Sequence, residues 1–449
     1  MGKGLRGITL QGDCVMGTTE PQHTTDQRLS RIAWLSAREP HKAFTSLMHH
    51  FNVGSLKECF DGVDRKKAVG VDGIDKEQYR LNLDSNLEAL IARMKHMAYR
   101  PGPVRQVMIP KEGKPGALRP LGISNFEDKI VQKMMQKILE SMYDPIFLDC
   151  SYGFRRGIGP HDAIRDLRQH LYKNEVQTVI DLDLENYFGS IDQKTLQAFL
   201  RERIKDEKFM RYIIRMFKAG VLSEGELQVS EEGVTQGSGC SPILANIFAH
   251  FVIDAWIERE VKPRCKGTIR LFRFADDCVL CCQYDSDAVR VKAALAKRLA
   301  KYRLKMNEGK TKMVNFRKTN GTKTSFDFLG FTFYLGRSKA GYIIPKLKTI
   351  GKRFRAKLKS VNEWARSIRN KLPLREIWYL FCAKLRGHIN YYGVSFNIQA
   401  VERFIRQARK IIFKWLNRRS QKKSFNWQDF QRYLERHPLP VAKIHHKLF

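Results

Sequence analysis

The sequence predicts an α+β fold, in which a small sheet carries acidic residues and a basic helical region follows it. Residues 271–282 form two apolar, strand-like runs around an Ala-Asp-Asp turn, which is the pattern of a β-hairpin. Residues 179–184 alternate apolar and acidic side chains, as a half-buried strand does. Residues 350–418 repeat apolar positions at helical spacing among many Lys and Arg residues. These patterns favour a sheet that carries acids, followed by a separate helical domain.

The acidic strand presents two carboxylates on one face. Because side chains alternate along a strand, Ile180, Leu182 and Leu184 can pack on a core. Asp181 and Asp183 then point together to the opposite face. This strand is therefore a candidate source of ligands for a metal ion.

The hairpin adds Asp276 and Asp277 at the rim of the sheet, where the backbone reverses. Adjacent carboxylates repel each other, and a divalent cation such as Mg²⁺ relieves that repulsion. A solvated turn is the alternative interpretation of the hairpin alone. Hairpin and strand together supply the carboxylates of a two-metal phosphoryl-transfer site, whose ions lie about 3.5 to 4 Å apart. Nucleotide polymerisation is the reaction that such a site suggests.

The charge of the chain indicates a polyanionic partner. The formal net charge is +35 over 449 residues, and 43% of the residues are hydrophobic, so the chain is globular and not a basic disordered tail. Residues 346–449 contain 26 Lys and Arg against 5 Asp and Glu. We therefore expect nucleic acid as the partner, bound largely by the C-terminal part with an affinity that falls steeply with salt.

The nine cysteines are an odd number scattered through apolar runs, which argues against a disulfide framework and for a reducing compartment. Cys278, Cys281 and Cys282 have the spacing of a metal-binding pair, but no second Cys or His pair follows, so we interpret them as strand residues. No segment has the apolar length of a membrane span, and residues 1–30 lack a signal-peptide core. We expect a soluble, cytoplasmic protein that associates with the nucleoid when it binds DNA.

The N-terminal part begins with little periodicity, and residues 1–40 are predicted to be a loosely ordered extension. Helical spacing appears at residues 44–51 and 87–94. Residues 104–111 and 118–123 flank a turn rich in Gly and Pro and predict a long β-hairpin that carries cations. A solvated hairpin with ordinary surface cations is the alternative.

The remaining elements follow from the same patterns. The glycine-rich stretch 233–242 permits close backbone approach to a ligand, and Ser241-Pro242 is a favourable helix start. A strand is predicted at residues 326–334. Helices are predicted at residues 127–142, 161–172, 193–219, 243 onward, 286–302, 350–370, 375–392 and 399–418.

Several short motifs occur in the order seen in bacterial group II intron reverse transcriptase/maturases, and the chain resembles that family from about Phe44 to its C-terminus. They lie at residues 109–111 with 119–123, 151–155, 236–247, 274–277, 390–393 and 415–419. The resemblance implies a right-hand polymerase fold with a ferredoxin-like palm and an all-helical, basic thumb. The implied domains are an extension at 1–40, fingers at 41–175, a palm at 176–345 and a thumb or maturase X domain at 346–449.

The resemblance also implies roles for acidic residues and one lysine at the catalytic centre. Asp183, Asp276 and Asp277 match the family's metal-binding triad, which holds two Mg²⁺ ions with help from the backbone carbonyl of Leu184. Lys310 matches a lysine suspected of protonating the pyrophosphate leaving group. Asp181 matches no catalytic position of the family and is expected to support the site or the fold without binding metal.

A further set of residues is expected to bind the incoming deoxynucleotide. Phe188 stands five residues after Asp183, where reverse transcriptases place an aromatic ring that would collide with a ribose 2′-hydroxyl. That ring argues for deoxynucleotides over ribonucleotides. The residues assigned to this pocket by resemblance are Arg105, Lys111, Arg119, Phe188, Gln236 and Gly237.

The C-terminal helices are expected to bind RNA. The implied partners are group II intron RNA or another structured RNA, an RNA template with a DNA primer, target DNA and deoxynucleoside triphosphates, without a membrane. The cations assigned to RNA are Lys352, Arg353, Arg355, Arg386, Arg418, Arg419, Lys422 and Lys423.

The expected function is RNA-directed DNA polymerisation, combined with splicing of a group II intron and intron mobility by target-primed reverse transcription. A domesticated relative in phage defence or DNA repair is one alternative, and a non-catalytic RNA-binding splicing cofactor is another. The chain departs from the family by having Phe274 where Tyr is usual. We also expect it to lack the endonuclease extension that many relatives carry. We expect activity to survive the first change, because the ring remains.

Overall fold

The computed structural model describes residues 24–110, 116, 118–223, 226–234, 237–320, 324–419 and 426–449. Four residues assigned to the site from the sequence lie outside this part, namely Lys111, Gln236, Lys422 and Lys423. Within the described residues, no helix combines the length and the apolarity needed to cross a membrane.

The described chain is a mixed α+β structure, as predicted. The helices are α1 (Thr25–Arg38), α2 (Val53–Asp61), α3 (Lys76–Arg80), α4 (Leu83–Lys95), α5 (Phe126–Tyr143), α6 (Pro160–Lys173), α7 (Gln193–Arg203), α8 (Glu207–Lys218), α9 (Ser241–Ala249), α10 (Asp285–Lys301), α11 (Gly351–Ile368), α12 (Leu374–Tyr392), α13 (Ile398–Leu416) and α14 (Trp427–Arg436). The strands are β1 (Val104–Pro110), β2 (Leu118–Ile123), β3 (Thr178–Leu182), β4 (Val221–Ser223), β5 (Glu226–Gln228), β6 (Ile269–Phe274), β7 (Asp277–Cys282), β8 (Lys312–Asn315), β9 (Ser325–Phe328), β10 (Phe331–Arg337) and β11 (Ile343–Thr349).

The central sheet has the strand order β6-β7-β3-β8, and all its neighbouring strands are antiparallel. Its two faces are buried against different hydrophobic cores. Ile180 and Leu182 pack into a core with α5 and α9, whereas Val179 of the same strand packs into a core with α6 and the C-terminal helices. Alternation along β3 thus divides the molecule into layers on either side of this sheet.

A second sheet, in the order β2-β1-β4-β5, contains the predicted cationic hairpin, which is confirmed. Strand β1 pairs with β2 in antiparallel fashion and with β4 in parallel fashion. The sheet therefore joins residues 104–123 to residues 221–228, which the sequence assigned to different domains. The expected division between fingers and palm does not separate two independent sheets.

The prediction of a single strand at residues 326–334 is wrong. These residues form a hairpin of β9 and β10, which turns at Leu329 and Gly330 with positive φ angles of 46° and 86°. Strand β11 completes a three-stranded sheet, and it crosses the predicted domain boundary at 345/346. The helical part accordingly starts at Gly351.

The prediction of a loosely ordered extension at residues 1–40 is wrong for residues 25–38. These residues form α1, whose N-terminus is closed by a capping box between Thr24 and Gln27. Leu29 and Ile32 are buried in the core against α5, and the Ser36 hydroxyl donates to the carbonyl of Met142 at 2.5 Å. Residues 1–23 lie outside the described part of the chain.

The three basic helices predicted after residue 350 are confirmed as α11, α12 and α13, with ends within two residues of the expected ones. Their apolar faces meet in a core of their own, which includes Trp378, Phe381 and Trp415. Burial of these aromatic side chains leaves the cationic side chains of the helices at the surface.

Candidate active site

The acids of the central sheet lie at one end of two neighbouring strands. In the register of β3 with β7, Leu182 is opposite Cys278. One residue further along each strand are Asp183 and Asp277. The hairpin of β6 and β7 closes through Ala275 and Asp276, with Phe274 opposite Asp277 and a positive φ of 58° at Ala275. The predicted hairpin is confirmed, and its turn brings Asp276 and Asp277 next to the end of β3.

The carboxylates interact electrostatically. Partial loss of hydration at the turn and the neighbouring charges of Asp276 and Asp183 raise the pKa of Asp277 to about 6. Reduced hydration and the charge of Asp183 also raise the pKa of Asp276. Asp181 lies on the same face, and burial together with the charge of Asp277 raises its pKa to about 7. The structure therefore brings the predicted acids together, and the charge of Asp183 contributes to the raised pKa of Asp181, Asp276 and Asp277.

Lys310 contacts the first of these acids directly. Its Nζ donates to Oδ2 of Asp183 at 2.6 Å, and both side chains reach solvent. The backbone around Asp183 is held by the same turn, because the N–H of Asn307 donates to the carbonyl of Asp183 at 2.8 Å. Thr311 accepts from the N–H of Asp183 at 3.3 Å. Leu184, whose carbonyl was assigned to the metal, is buried and forms a β-bridge with Met306.

The acids fit Mg²⁺ by the type of their donor atoms and by their mutual repulsion, which a divalent cation would relieve. In the arrangement that the described residues adopt, no group of three His, Cys, Asp or Glu side chains is close enough to hold a metal ion. The pairing of Lys310 with Asp183 occupies one carboxylate. Binding of Mg²⁺ by three of these acids would therefore require their side chains to move.

The hairpin of β1 and β2 carries two of the predicted triphosphate ligands on one face. Its register places Arg105 opposite Ile123 and Arg119 opposite Ile109. The two cations are therefore four residue pairs apart along the hairpin and point to the same face of the sheet. Arg119 is exposed. Arg105 is half-buried, and its Nη2 donates to the carbonyl of Val69 at 2.8 Å. This hydrogen bond uses one of the five N–H groups of the Arg105 guanidinium, so the side chain can keep it and still donate to a phosphate.

Phe188 and the glycine-rich stretch pack against each other. The N–H of Val234 donates to the carbonyl of Phe188 at 2.9 Å, and the N–H of Gly233 donates to the carbonyl of Ile191 at 2.8 Å. The Phe188 ring meets the ring of buried Tyr187 edge to face, with centroids 5.7 Å apart. Tyr187 in turn donates to the carbonyl of Ala245 at 2.7 Å in α9. The contact with Tyr187 thus helps to fix the ring of Phe188, to which we assign sugar selection.

Gly237 needs to be glycine for two reasons. Its φ of +108° is a conformation that side chains disfavour, and a Cβ there would lie 2.3 Å from the carbonyl oxygen of Gly122 in β2. The close approach holds the glycine-rich stretch against the cationic hairpin. These two parts of the predicted nucleotide pocket therefore touch through backbone atoms.

We expect Gly237→Ala to lower kcat/KM for deoxynucleotide addition, because the added methyl group pushes the two parts of the pocket apart. The backbone strain alone costs about 1 to 3 kcal/mol. Gly341→Ala is the matched control, since Gly341 also has a positive φ of 83° but nothing lies within 4 Å of its added Cβ. Steady-state primer extension with both variants checks the prediction. Equal losses in the two variants would contradict a role for the close approach.

The structure adds a group of buried polar residues that the sequence reasoning missed. Arg273 is fully buried beneath the turn of the acidic hairpin and pairs with Asp254, which is also buried. The available signal was a charged residue in the otherwise apolar run of β6. Its partner Asp254, at the end of a π-helical turn (His250–Asp254), has no local signature.

The cations assigned to RNA are distributed over the C-terminal helices. Lys352, Arg353 and Arg355 are exposed on the first turns of α11, and Arg386 is exposed on α12. The positive charge of Arg353 partly opposes the rise in the pKa of Asp277. Arg418 and Arg419 follow α13, and Arg419 donates to the carbonyl of Leu372 at 3.1 Å.

Comparison with known proteins defines the class. Residues 109–333 match the family described as reverse transcriptase (RNA-dependent DNA polymerase). This region contains the acidic hairpin, β3 and Phe188, and it is half of the chain. The chain belongs to the reverse transcriptase family.

The relatives give the branch of that family. Protein YkfC of Escherichia coli is 30% identical over 304 residues, which are 61% of this chain and 77% of that protein. The group II intron-encoded protein LtrA of Lactococcus lactis is 34% identical over 223 residues, 49% of this chain and 37% of LtrA. Nuclear intron maturase 3 of Arabidopsis thaliana is 28% identical over 132 residues, 28% of this chain and 18% of that protein. The resemblance to group II intron reverse transcriptase/maturases is confirmed, although the aligned region spans little more than a third of LtrA.

Proposed function

We propose that this protein is an RNA-directed DNA polymerase that uses Mg²⁺ and acts on a structured RNA as a group II intron maturase. The observation that carries the proposal is the meeting of three acids at the end of two adjacent strands, Asp183 beside the turn with Asp276 and Asp277. Its membership in the reverse transcriptase family supports the reaction type. We propose further that it supports intron mobility by target-primed reverse transcription on DNA.

In this proposal the acids and cations have separate tasks. The carboxylates of Asp183, Asp276 and Asp277, with the carbonyl of Leu184, would hold two Mg²⁺ ions. When bound, these ions would neutralise phosphate charge and favour attack by the primer 3′-hydroxyl. Arg119 and Arg105 would bind the triphosphate from the hairpin of β1 and β2. Lys310 would donate a proton to the departing pyrophosphate, from a position beside Asp183.

The right-hand architecture remains part of the proposal. Residues 41–175 would serve as fingers, 176–345 as palm and 346–449 as thumb or maturase X domain. The shared sheet of β1 and β4 and the course of β11 across residue 345 mean that these units are continuous in structure. The duplex of template and primer would lie between the sheet and the basic helices.

Extension of a DNA primer on an RNA template tests the polymerase function. We expect Mg²⁺-dependent synthesis with deoxynucleotides and little with ribonucleotides. The reaction balances as one phosphodiester bond formed for each α–β phosphoanhydride bond broken, with release of pyrophosphate. RNA binding without any extension would favour the non-catalytic cofactor.

The maturase function has a different test, which is to sequence the RNA crosslinked to the protein in its native cells. We expect one abundant structured RNA whose sequence encloses this reading frame. A short noncoding RNA encoded elsewhere would instead indicate a domesticated reverse transcriptase. Splicing of that RNA with and without the protein then measures the maturase activity directly.

We expect the exposed cations of α11 to bind RNA phosphates. Replacing Lys352 and Arg355 with Gln should weaken binding and reduce the slope of log affinity against log salt by about 1 for each phosphate that is no longer neutralised. Lys297 and Lys301 on α10 provide a control with the same change in charge. A salt titration by filter binding distinguishes the pairs, and equal slopes for both double variants would contradict the assignment.

A further inference from the structure

A buried arginine lies directly beneath the acidic turn. Arg273 is in β6, two residues before Ala275 of the turn, and its side chain has no exposure to solvent. Charged side chains are rarely buried to this extent unless all their polar atoms are paired. The contacts of Arg273 meet that condition.

All five N–H groups of the Arg273 guanidinium have acceptors. Its Nε and Nη2 donate to the two carboxylate oxygens of Asp254, at 2.7 and 2.6 Å, in a bidentate pair. The other N–H of Nη2 donates to the Ser151 hydroxyl at 2.6 Å. Nη1 donates to Oδ1 of Asn246 at 3.0 Å and to the carbonyl of Ala275 at 3.2 Å.

The three side chains that accept from Arg273 come from two parts of the chain outside β6. Ser151 belongs to the segment before α6, Asn246 lies in α9, and Asp254 follows α9 in a π-helical turn. Each of the three is exposed by only 1%. The guanidinium therefore connects Ser151 and the helical segment of Asn246 and Asp254 to the carbonyl of the turn residue Ala275.

Residues 150–153 and Asn246 also hold the backbone around the turn. The backbone N–H of Arg273 donates to the carbonyl of Cys150 at 2.7 Å. The backbone N–H of Tyr152 donates to the carbonyl of Arg273 at 2.8 Å. The side-chain amide of Asn246 donates to the carbonyl of Gly153 at 2.6 Å. A Cβ on Gly153 would lie 2.5 Å from the nitrogen of Ala275, so this segment packs directly against the turn.

We infer that Arg273 is a positioning residue that fixes the turn between β6 and β7 and thereby aims the carboxylates of Asp276 and Asp277. Its hydrogen bond to the carbonyl of Ala275 holds a residue whose φ of 58° is disfavoured for alanine. Asp254 keeps the guanidinium in place and compensates its buried charge. The catalytic part of this inference rests on the proposed polymerase function, whereas the structural part does not.

The test compares Arg273→Lys with Arg203→Lys. Arg203 is a buried arginine at the end of α7, with 3% exposure and hydrogen bonds to Ser36, Lys42 and Met142. The control therefore removes a buried, hydrogen-bonded guanidinium that lies outside the acidic turn. We expect Arg273→Lys to lower kcat by about 10- to 100-fold and to raise the Mg²⁺ concentration needed for half-maximal rate, the scale of losing a group that orients metal ligands. Affinity for the template and primer should not change. Arg203→Lys should lower the thermal midpoint without this loss of kcat.

A double variant separates positioning from stability. Arg273→Met with Asp254→Leu removes both buried charges, and such replacements commonly retain or raise stability. We expect its thermal midpoint to exceed that of Arg273→Met alone, whereas its kcat should stay low because the carbonyl of Ala275 has lost its donor. Recovery of both the midpoint and kcat would overturn the inference.

Amide hydrogen exchange at residues 274–278 gives a measurement that does not depend on catalysis. We expect faster exchange there in Arg273→Lys and unchanged exchange in Arg203→Lys. Unchanged exchange at the turn in Arg273→Lys would overturn the positioning role. If the wild-type protein fails to extend a primer, the proposed function fails, and the exchange result still decides whether Arg273 fixes the turn.

Discussion

Asp276→Asn is expected to abolish DNA synthesis while leaving RNA binding intact. The substitution keeps the size of the side chain but removes a negative charge at the turn of the acidic hairpin, where Asp183 and Asp277 are neighbours. We expect primer extension to fall by at least about 10³-fold, the scale on which charge-stabilising groups act in phosphoryl transfer. Gel-based primer extension and filter binding on the same preparation measure the two effects.

The appropriate control for this variant is Asp327→Asn. Asp327 is a neighbouring acid in β9, and its charge also contributes to the raised pKa of Asp181, but it is not assigned to the metal. Synthesis in Asp327→Asn should stay within a few-fold of wild type. Undiminished extension by Asp276→Asn would refute the assignment of the triad, and loss of RNA binding would show that the turn serves the fold of the whole protein.

Phe188→Ala is expected to change which sugar the enzyme accepts. Removing the ring opens space where a ribose 2′-hydroxyl would lie, so incorporation of ribonucleotides should rise relative to deoxynucleotides. A single group in an apolar pocket discriminates by about 10- to 200-fold, and we expect discrimination to fall by that order. Single-nucleotide extension with each nucleotide alone measures the ratio of the two kcat/KM values.

Phe199→Ala provides the comparison for Phe188→Ala. Phe199 packs against Phe248 and Phe251 in the core on α7, away from the turn that carries Phe188. Its loss should reduce stability and leave the choice of sugar unchanged. If ribonucleotide incorporation rose equally in both variants, or in neither, Phe188 would not be the selecting residue.

Much of the site could be predicted from the sequence because its signals are local. The alternation of residues 179–184 and the two apolar runs around Asp276 and Asp277 depend only on neighbours along the chain. The basic helices also follow from their own periodicity, and their ends were placed within two residues. The roles of Lys310 and Phe188 come from the resemblance to the family and stay predictions.

The features that escaped prediction depend on contacts between distant residues. The parallel pairing of β1 with β4 joins segments more than a hundred residues apart and has no local pattern. The turn at Leu329 and Gly330 interrupts a run whose alternation continues on both sides, so periodicity alone gave one strand. The interaction of Arg273 with Asp254 likewise exists only once the chain is folded.

The shared sheet has a consequence for how this protein can be divided. A fragment that ended near residue 175 would leave β1 without its partner β4, exposing unpaired backbone groups along that strand. A fragment that began there would leave β4 and β5 as an isolated pair of three-residue strands, too short to persist alone. The cationic hairpin and the acidic sheet should therefore be kept in one fragment. A cut at residue 350 would in turn divide the core that Val179 and Leu347 share with Ile389 of α12, so we expect neither cut to give two independently folded parts.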